Sequence, residues 1–300
     1  MGVKGLYSYL RKYRRTVLYE AIIKATPLRI GIDAMSMLYK YKSNYSEMYP
    51  LLKELKSAGH RLIFVFDGKP PVEKEAEVKE RRDLRTSASS QAETLKEHLS
   101  NPQLQPQERA LLEYSLARLE FQGWHMTREI RHAFQQALWD MGIPYVKAVA
   151  EADDVLTELV GAGKLDVIIS TDMDFLLSGV PRLWIPFRTS NDGVEELLME
   201  NILEGESMSQ DMLRDAGILC GVEGLKDRVS IQSSLAFSWI RYYKSIEGLL
   251  QSAIKEPQFE HLKDTALVKK VRDHFTAGSA WKEEIRADHL VKVAAFMETL

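Results

Sequence analysis

Three short apolar runs, two followed at once by aspartate and the third by Ser-Thr-Asp, limit what this chain can fold into more than any other feature. They are Arg29-Ile-Gly-Ile-Asp33, Arg61-Leu-Ile-Phe-Val-Phe-Asp67 and Asp166-Val-Ile-Ile-Ser170, the last running into Thr171-Asp172-Met173-Asp174. Runs of this length without polar alternation read as strands buried on both faces. Pro144–Ala148 and Arg182–Pro186 read as two further strands, and Glu47–Ser57, Arg128–Trp139 and Glu151–Val160 as the helices between them. Strands alternating with helices predict an α/β fold with a mainly parallel, doubly wound sheet. Residues 1–25 read as a pair of short basic amphipathic helices, and everything beyond Glu195 as helix. The polar, helix-prone stretch 72–127, broken at Pro102 and Pro106, is too long for a simple crossover and reads as an insertion of the lid type. The expected division is an α/β core over 1–195 and a helical region over 196–300.

In such a sheet, residues at the carboxyl ends of the strands share one crevice. Asp33, Asp67, Glu151, Asp153, Asp172, Asp174 and Glu223 all fall where a strand would end or a helix begin. Each has an ordinary structural reading. Asp33 is a good helix cap, Asp67 precedes a turn glycine, and Glu151 and Asp153 suit the electropositive start of a helix. Taken together they make a crevice whose acids need counter-charge. Hard divalent cations with oxygen ligands supply it, and two-ion sites of this kind cut phosphodiesters. The formal net charge of −3 marks no polyanion binder, so local basic patches decide that question. The single cysteine, Cys220, excludes an intrachain disulfide and fits a reducing, intracellular setting. No apolar run approaches the roughly 18 residues of a spanning helix, and Lys4, Arg11, Lys12, Arg14 and Arg15 interrupt any signal-peptide pattern at the amino end.

The order of motifs resembles the flap-endonuclease/XPG nucleases. The resemblance lies in Met1-Gly-Val-Lys-Gly-Leu6, Gly31-Ile-Asp-Ala-Met-Ser-Met-Leu-Tyr39 and Phe64-Val-Phe-Asp-Gly-Lys-Pro-Pro71. It continues through Met141-Gly-Ile-Pro-Tyr145, Ala150-Glu-Ala-Asp153, Ser170-Thr-Asp-Met-Asp174, Ile218-Leu-Cys-Gly-Val-Glu223 and Lys244-Ser-Ile-Glu-Gly-Leu249. It implies a PIN-like nuclease core, a helical arch over 72–127, and a 5′ structure-specific DNA nuclease that holds two Mg²⁺, with Mn²⁺ able to substitute. Asp33, Asp67, Glu151 and Asp153 match acids around a first ion, and Asp172, Asp174 and Glu223 those around a second. Lys74 and Arg81 match a cation pair that offsets phosphoryl charge, and Tyr39 an aromatic that stacks on a base. Gly2, Lys4, Arg82, Arg85 and Arg228 are the further nucleic-acid contacts it implies, on DNA with a 5′ flap or nick. A monomer is expected.

Two departures from the family pattern bear on substrate. Glu223 stands where the family carries aspartate, and Val229–Phe237 lacks the glycine-rich turn that grips duplex backbone. There is no sliding-clamp motif or basic tail, and compact members of this kind resemble those encoded by large DNA viruses. An RNA endonuclease on the same core and a non-catalytic junction-binding protein are the rival readings.

Overall fold

The computed structural model describes residues 3–12, 16–19, 26–70, 75–186, 193–225 and 227–276. Gly2 and Lys74 lie outside the described residues. Among the described residues, seven strands form one sheet: β1 (Thr16–Tyr19), β2 (Arg29–Asp33), β3 (Arg61–Phe66), β4 (Tyr145–Lys147), β5 (Val167–Ile169), β6 (Arg182–Pro186) and β7 (Val194–Leu198). Their order across the sheet is β1-β7-β6-β5-β2-β3-β4. The pairs β2·β3, β3·β4, β2·β5 and β5·β6 are parallel, while β7 runs antiparallel to β6 and β1 antiparallel to β7. The chain winds outward from β2 to β3 and β4, then returns to the other side of β2 for β5 and β6. That reversal places the topological switch point between β2 and β5, where the carboxyl ends of an α/β sheet open a crevice.

The mainly parallel α/β reading holds, with two corrections. Residues 16–19 are an edge strand, not the second helix of a pair; Thr-Val-Leu-Tyr is strand-favouring composition, and β7 offers it an edge. The sheet also continues past Glu195 through Val194–Leu198, where an unbroken helical tail was expected. The acids there sit buried because partners far away in sequence meet them. Glu196 accepts from Arg182 Nε at 2.5 Å and from Trp184 Nε1 at 3.0 Å. Glu195 accepts from the Tyr7 hydroxyl and lies 3.4 Å from Arg11 Nε.

Two compact units emerge, one comprising Met1–Gly68 with Leu138–Leu300, the other Lys69–Ala137. Within the second, helices Glu75–Leu99 and Pro106–Gly123 form a hairpin. Arg109 closes its turn by donating to the carbonyls of Leu99 (3.1 Å) and Asn101 (3.0 Å). Lys96 bridges to Glu120 at 3.1 Å, and Gly123 lets Ser89 approach. Among the described residues no helix is long and apolar enough to cross a membrane.

Within the sheet unit, Gly31 in the centre of β2 has a specific packing role. A Cβ there would stand 2.5 Å from side-chain atoms of both Leu156 and Leu165. The missing side chain lets helix Ala152–Gly161 settle closely on the sheet and carry its acidic first turn toward the strand ends. Gly31→Val should therefore cost about 1–3 kcal/mol, the usual penalty of overpacking, and lower the urea midpoint without changing the slope of the transition.

Candidate metal-dependent active site

Asp33 closes β2 and caps the next helix. Its φ and ψ are −70° and 105°, and its Oδ1 accepts from Ser36 N at 2.9 Å in helix Ala34–Tyr41. The cap reading of Asp33 is thus correct, and it does not remove the residue from the crevice. The second carboxylate oxygen, Oδ2, accepts from the Ser170 hydroxyl at 3.0 Å, at the end of β5. Ser170 Oγ in turn accepts from Asp172 N at 3.0 Å, and Asp172 Oδ1 from Asp174 N at 3.0 Å. Beside this relay, Ser36 Oγ accepts from Thr171 N at 2.8 Å and shares a hydroxyl hydrogen bond with Thr171 Oγ1 at 2.7 Å. Two hydroxyl bridges therefore fasten the exits of β2 and β5 and fix Asp172 relative to Asp33. Ser36, Ser170 and Thr171 were not singled out from sequence. Their signals were a serine three residues after a capping aspartate and two hydroxyl residues closing an apolar run.

A similar connection brings in the third strand. Asp67 Oδ1 accepts from Ala152 N at 2.9 Å, satisfying an otherwise open amide at the start of helix Ala152–Gly161. Gly68 N donates to Ala150 O at 2.6 Å. A Cβ at Gly68 would fall 2.1 Å from Ala148 O and 2.2 Å from Val149 O, so only glycine admits this loop. Glu151 occupies the cap position of that helix and Asp153 its first turn.

The charges of these acids act on one another. Burial is the main cause pushing Asp33 up to about 7. The charges of Asp67 and Asp172 add to the rise, while the hydrogen bonds from Ser36 and Ser170 oppose it. Asp153 is raised well above the usual carboxylate range, first by burial and then by Asp33, Asp172, Asp67 and Glu151. Five sequence-nominated acids thus act on one another. Asp174 is tied to Asp172 through its amide but, like Glu223, is not a main contributor to either shift. Glu223 lies half-buried in the turn after helix Gln210–Cys220.

Oxygen donors of this kind suit Mg²⁺ or Mn²⁺, and a cation would relieve the repulsion between them. The donor chemistry fits. The acids are not, however, gathered into a closed shell, since no group of three or more His, Cys, Asp or Glu among the described residues stands ready to enclose an ion.

The remaining nominated residues are distributed as follows. Tyr39 is half-buried in helix Ala34–Tyr41. Arg81 and Arg85 are half-buried and Arg82 exposed on helix Glu75–Leu99; Arg81 lies on the helical stripe that continues through Ala88 and Ala92, both buried. Arg228 is exposed just beyond the Glu223 turn. Lys4 is exposed, and its ammonium donates to Ser230 Oγ at 3.1 Å.

Residues 142–223 match the XPG I-region. Flap endonuclease 1 of Entamoeba histolytica is 28% identical over 275 residues, covering 84% of this chain and 70% of that protein. Flap endonuclease 1 of Meyerozyma guilliermondii is 27% identical over 280 residues, covering 86% and 72%. Among solved structures, the catalytic core of Rad2 in complex with DNA substrate superposes with a TM-score of 0.60 at 19% identity, over 92% of this chain and 85% of that one. Flap endonuclease-1 from Methanococcus jannaschii gives 0.55 at 20%, over 87% and 81%.

The raised acids carry a stability consequence. An acid with a raised folded-state pKa destabilises the fold once pH passes above its unfolded value, and the penalty is complete above the folded one. Asp153→Asn should therefore raise the melting temperature at pH 7.5 in EDTA, by roughly 2–4 °C for each kcal/mol of repulsion removed. The gain should shrink as the pH is lowered toward the ordinary carboxylate range, because the raised pKa lets Asp153 take up a proton. Differential scanning fluorimetry across that range checks both the sign and the trend.

Proposed function

The chain belongs to the XPG/flap-endonuclease family of structure-specific 5′ nucleases, and on that premise we propose that it hydrolyses phosphodiesters at 5′ flaps or nicks in DNA, with Mg²⁺ as cofactor. The observation that carries this reading is the convergence of Asp33, Asp67, Glu151, Asp153 and Asp172 on the switch-point crevice. Nothing in the packing of an ordinary α/β core requires five acids to crowd one sheet rim, two of them resisting ionisation.

In the proposed reaction these carboxylates, with Asp174 and Glu223, hold the divalent ions. Bound Mg²⁺ supplies Lewis-acid activation of water and offsets charge on the phosphoryl oxygens. The protein's own contribution is positioning. The Ser170 and Ser36–Thr171 bridges keep the Asp33 and Asp172 carboxylates at fixed separation, and the Asp67–Ala152 bond orients the helix bearing Asp153. Arg81 and Lys74 are the proposed cations for the scissile phosphate. Tyr39 is proposed to stack on a base, and Gly2, Arg82, Arg85 and Arg228 to meet the nucleic-acid backbone.

One observation favours keeping RNA in view as a second substrate. Ser230, within the segment where the family grips duplex, spends its amide on Gln258 Oε1 at 2.6 Å. A duplex phosphate would have to displace that side chain.

The test sets a 5′ flap, a nicked duplex, single-stranded DNA and single-stranded RNA side by side in Mg²⁺. Flap cleavage should vanish in EDTA and in Asp172→Asn, and fall on the order of 10²–10³-fold in turnover in Arg81→Ala. RNA cut first, with flaps ignored, would favour the second substrate. Tight flap binding without cleavage in Mg²⁺ or Mn²⁺ would mean a non-catalytic junction protein.

A further inference from the structure

Glu223 does not sit on the sheet. It is carried by the segment 221–232, which leaves helix Gln210–Cys220 through Gly221 at φ 102° and re-enters helix at Ser233. A carboxylate on a connecting loop needs that loop fixed if it is to act with others on a rigid sheet rim.

The segment is fixed from three sides. From within, Val222, Leu225 and Val229 are buried, and Ile231 N donates to Leu219 O at 2.7 Å. From the amino end of the chain, Lys4 N donates to Gly221 O at 3.4 Å and Lys4 Nζ to Ser230 Oγ at 3.1 Å. The Lys4 carbonyl accepts from Ser233 Oγ at 3.3 Å. Next to it Gly5 has φ +70°, with Ser233 Oγ only 3.0 Å from where a Cβ would lie, so this close approach depends on glycine. Val3 and Leu6, on either side, are buried. From the carboxyl side comes the Gln258 side chain, accepting from Ser230 N at 2.6 Å. Lys4 thus touches the first and tenth residues of the loop and the helix residue that follows it, and Ser230 meets one side chain from before the loop and one from after it.

We propose that Lys4 and Gln258 are positioning residues for Glu223: they hold the loop 221–232 from segments on either side of it in sequence and so set where that carboxylate stands. The inference rests on the functional reading above, in which Glu223 binds a divalent ion. It also reassigns Lys4. Its ammonium serves Ser230 and not a nucleic-acid phosphate, which is the role its place in the opening motif implies.

The experiment uses the full chain and three single variants, Lys4→Met, Ser230→Ala and Gln258→Ala, with Glu223→Gln as reference. Mg²⁺ and Ca²⁺ binding to the free protein is measured by calorimetry, and flap affinity in Ca²⁺ is followed across salt concentration. Lys4→Met and Gln258→Ala should each weaken ion binding on the order of tenfold, the low end for groups that orient a metal ligand. Ser230→Ala should reproduce the Lys4→Met loss, Lys4→Arg should restore part of it, and Lys4→Met should have no further effect when combined with Glu223→Gln. Flap affinity and its salt slope should stay at wild-type values. The positioning role is overturned if ion binding is unchanged in the variants, or if Lys4→Met lowers the salt slope by about 0.9, the signature of one lost phosphate contact, while Ser230→Ala is silent. Wild-type protein that takes up no divalent ion would sink the functional reading, and this inference with it. Ion uptake by wild type with additive losses in the Glu223→Gln background would leave that reading standing and remove only the role of Lys4.

Discussion

Like-charge crowding at the β2–β5 switch point is the constraint around which the rest of the sheet unit is arranged. Asp33 is buried and Asp153 half-buried among other acids, and both resist ionisation. Burying such groups opposes folding unless the surroundings over-determine their positions. Here the surroundings do. Hydroxyls bridge the ends of β2 and β5, the Asp67 carboxylate caps the neighbouring helix, and Gly31 and Gly68 remove the side chains that would keep that helix away. The fold accepts local repulsion because packing elsewhere leaves the acids no alternative.

The same unit buries other acids and handles them differently. Glu195, Glu196, Glu206 and Asp215 are nearly inaccessible, yet each meets a cation or hydroxyl. Arg272 donates twice to Asp215 at 2.7 Å and also reaches Glu247, tying the last described helix to helix Gln210–Cys220. Glu206 receives the Tyr9 hydroxyl at 2.8 Å and Arg241 at 3.2 Å. Glu247, held by Arg272, is drawn down to about 2. These acids are held by arginine and tyrosine, whereas Asp33 is held by the Ser36 amide and the Ser170 hydroxyl and feels the charges of Asp67 and Asp172.

The amino-terminal end of the chain meets the helical region at one place. Helix Leu6–Lys12 packs with Tyr9 against Phe237 at a centroid distance of 4.4 Å, and the residues just before it bond to the loop carrying Glu223. Such contacts span more than two hundred residues of sequence. They form only after the sheet has brought its flanking segments together, so the Glu223 loop depends on long-range closure to a degree that Asp33 or Asp172 does not.

Much of this molecule was legible before any coordinates. The apolar runs ending in Asp33 and Asp67 and the Ser170–Asp174 turn identified the parallel strands and their acidic rim, because a buried parallel strand must be apolar throughout and its polar successor must lie at the sheet edge. What was misread had its explanation far off in the chain. Thr16–Tyr19 became a strand because β7 offered it an edge, and Glu195 and Glu196 could sit in a strand because Arg11, Arg182, Tyr7 and Trp184 converge on them. The sequence by itself determined the kind of sheet and the chemistry at its rim, since both follow from local composition. Only the tertiary structure decided which acids act together, through two glycines and three hydroxyls, and how the Glu223 loop is held, because those depend on distances between residues that sequence spacing does not constrain.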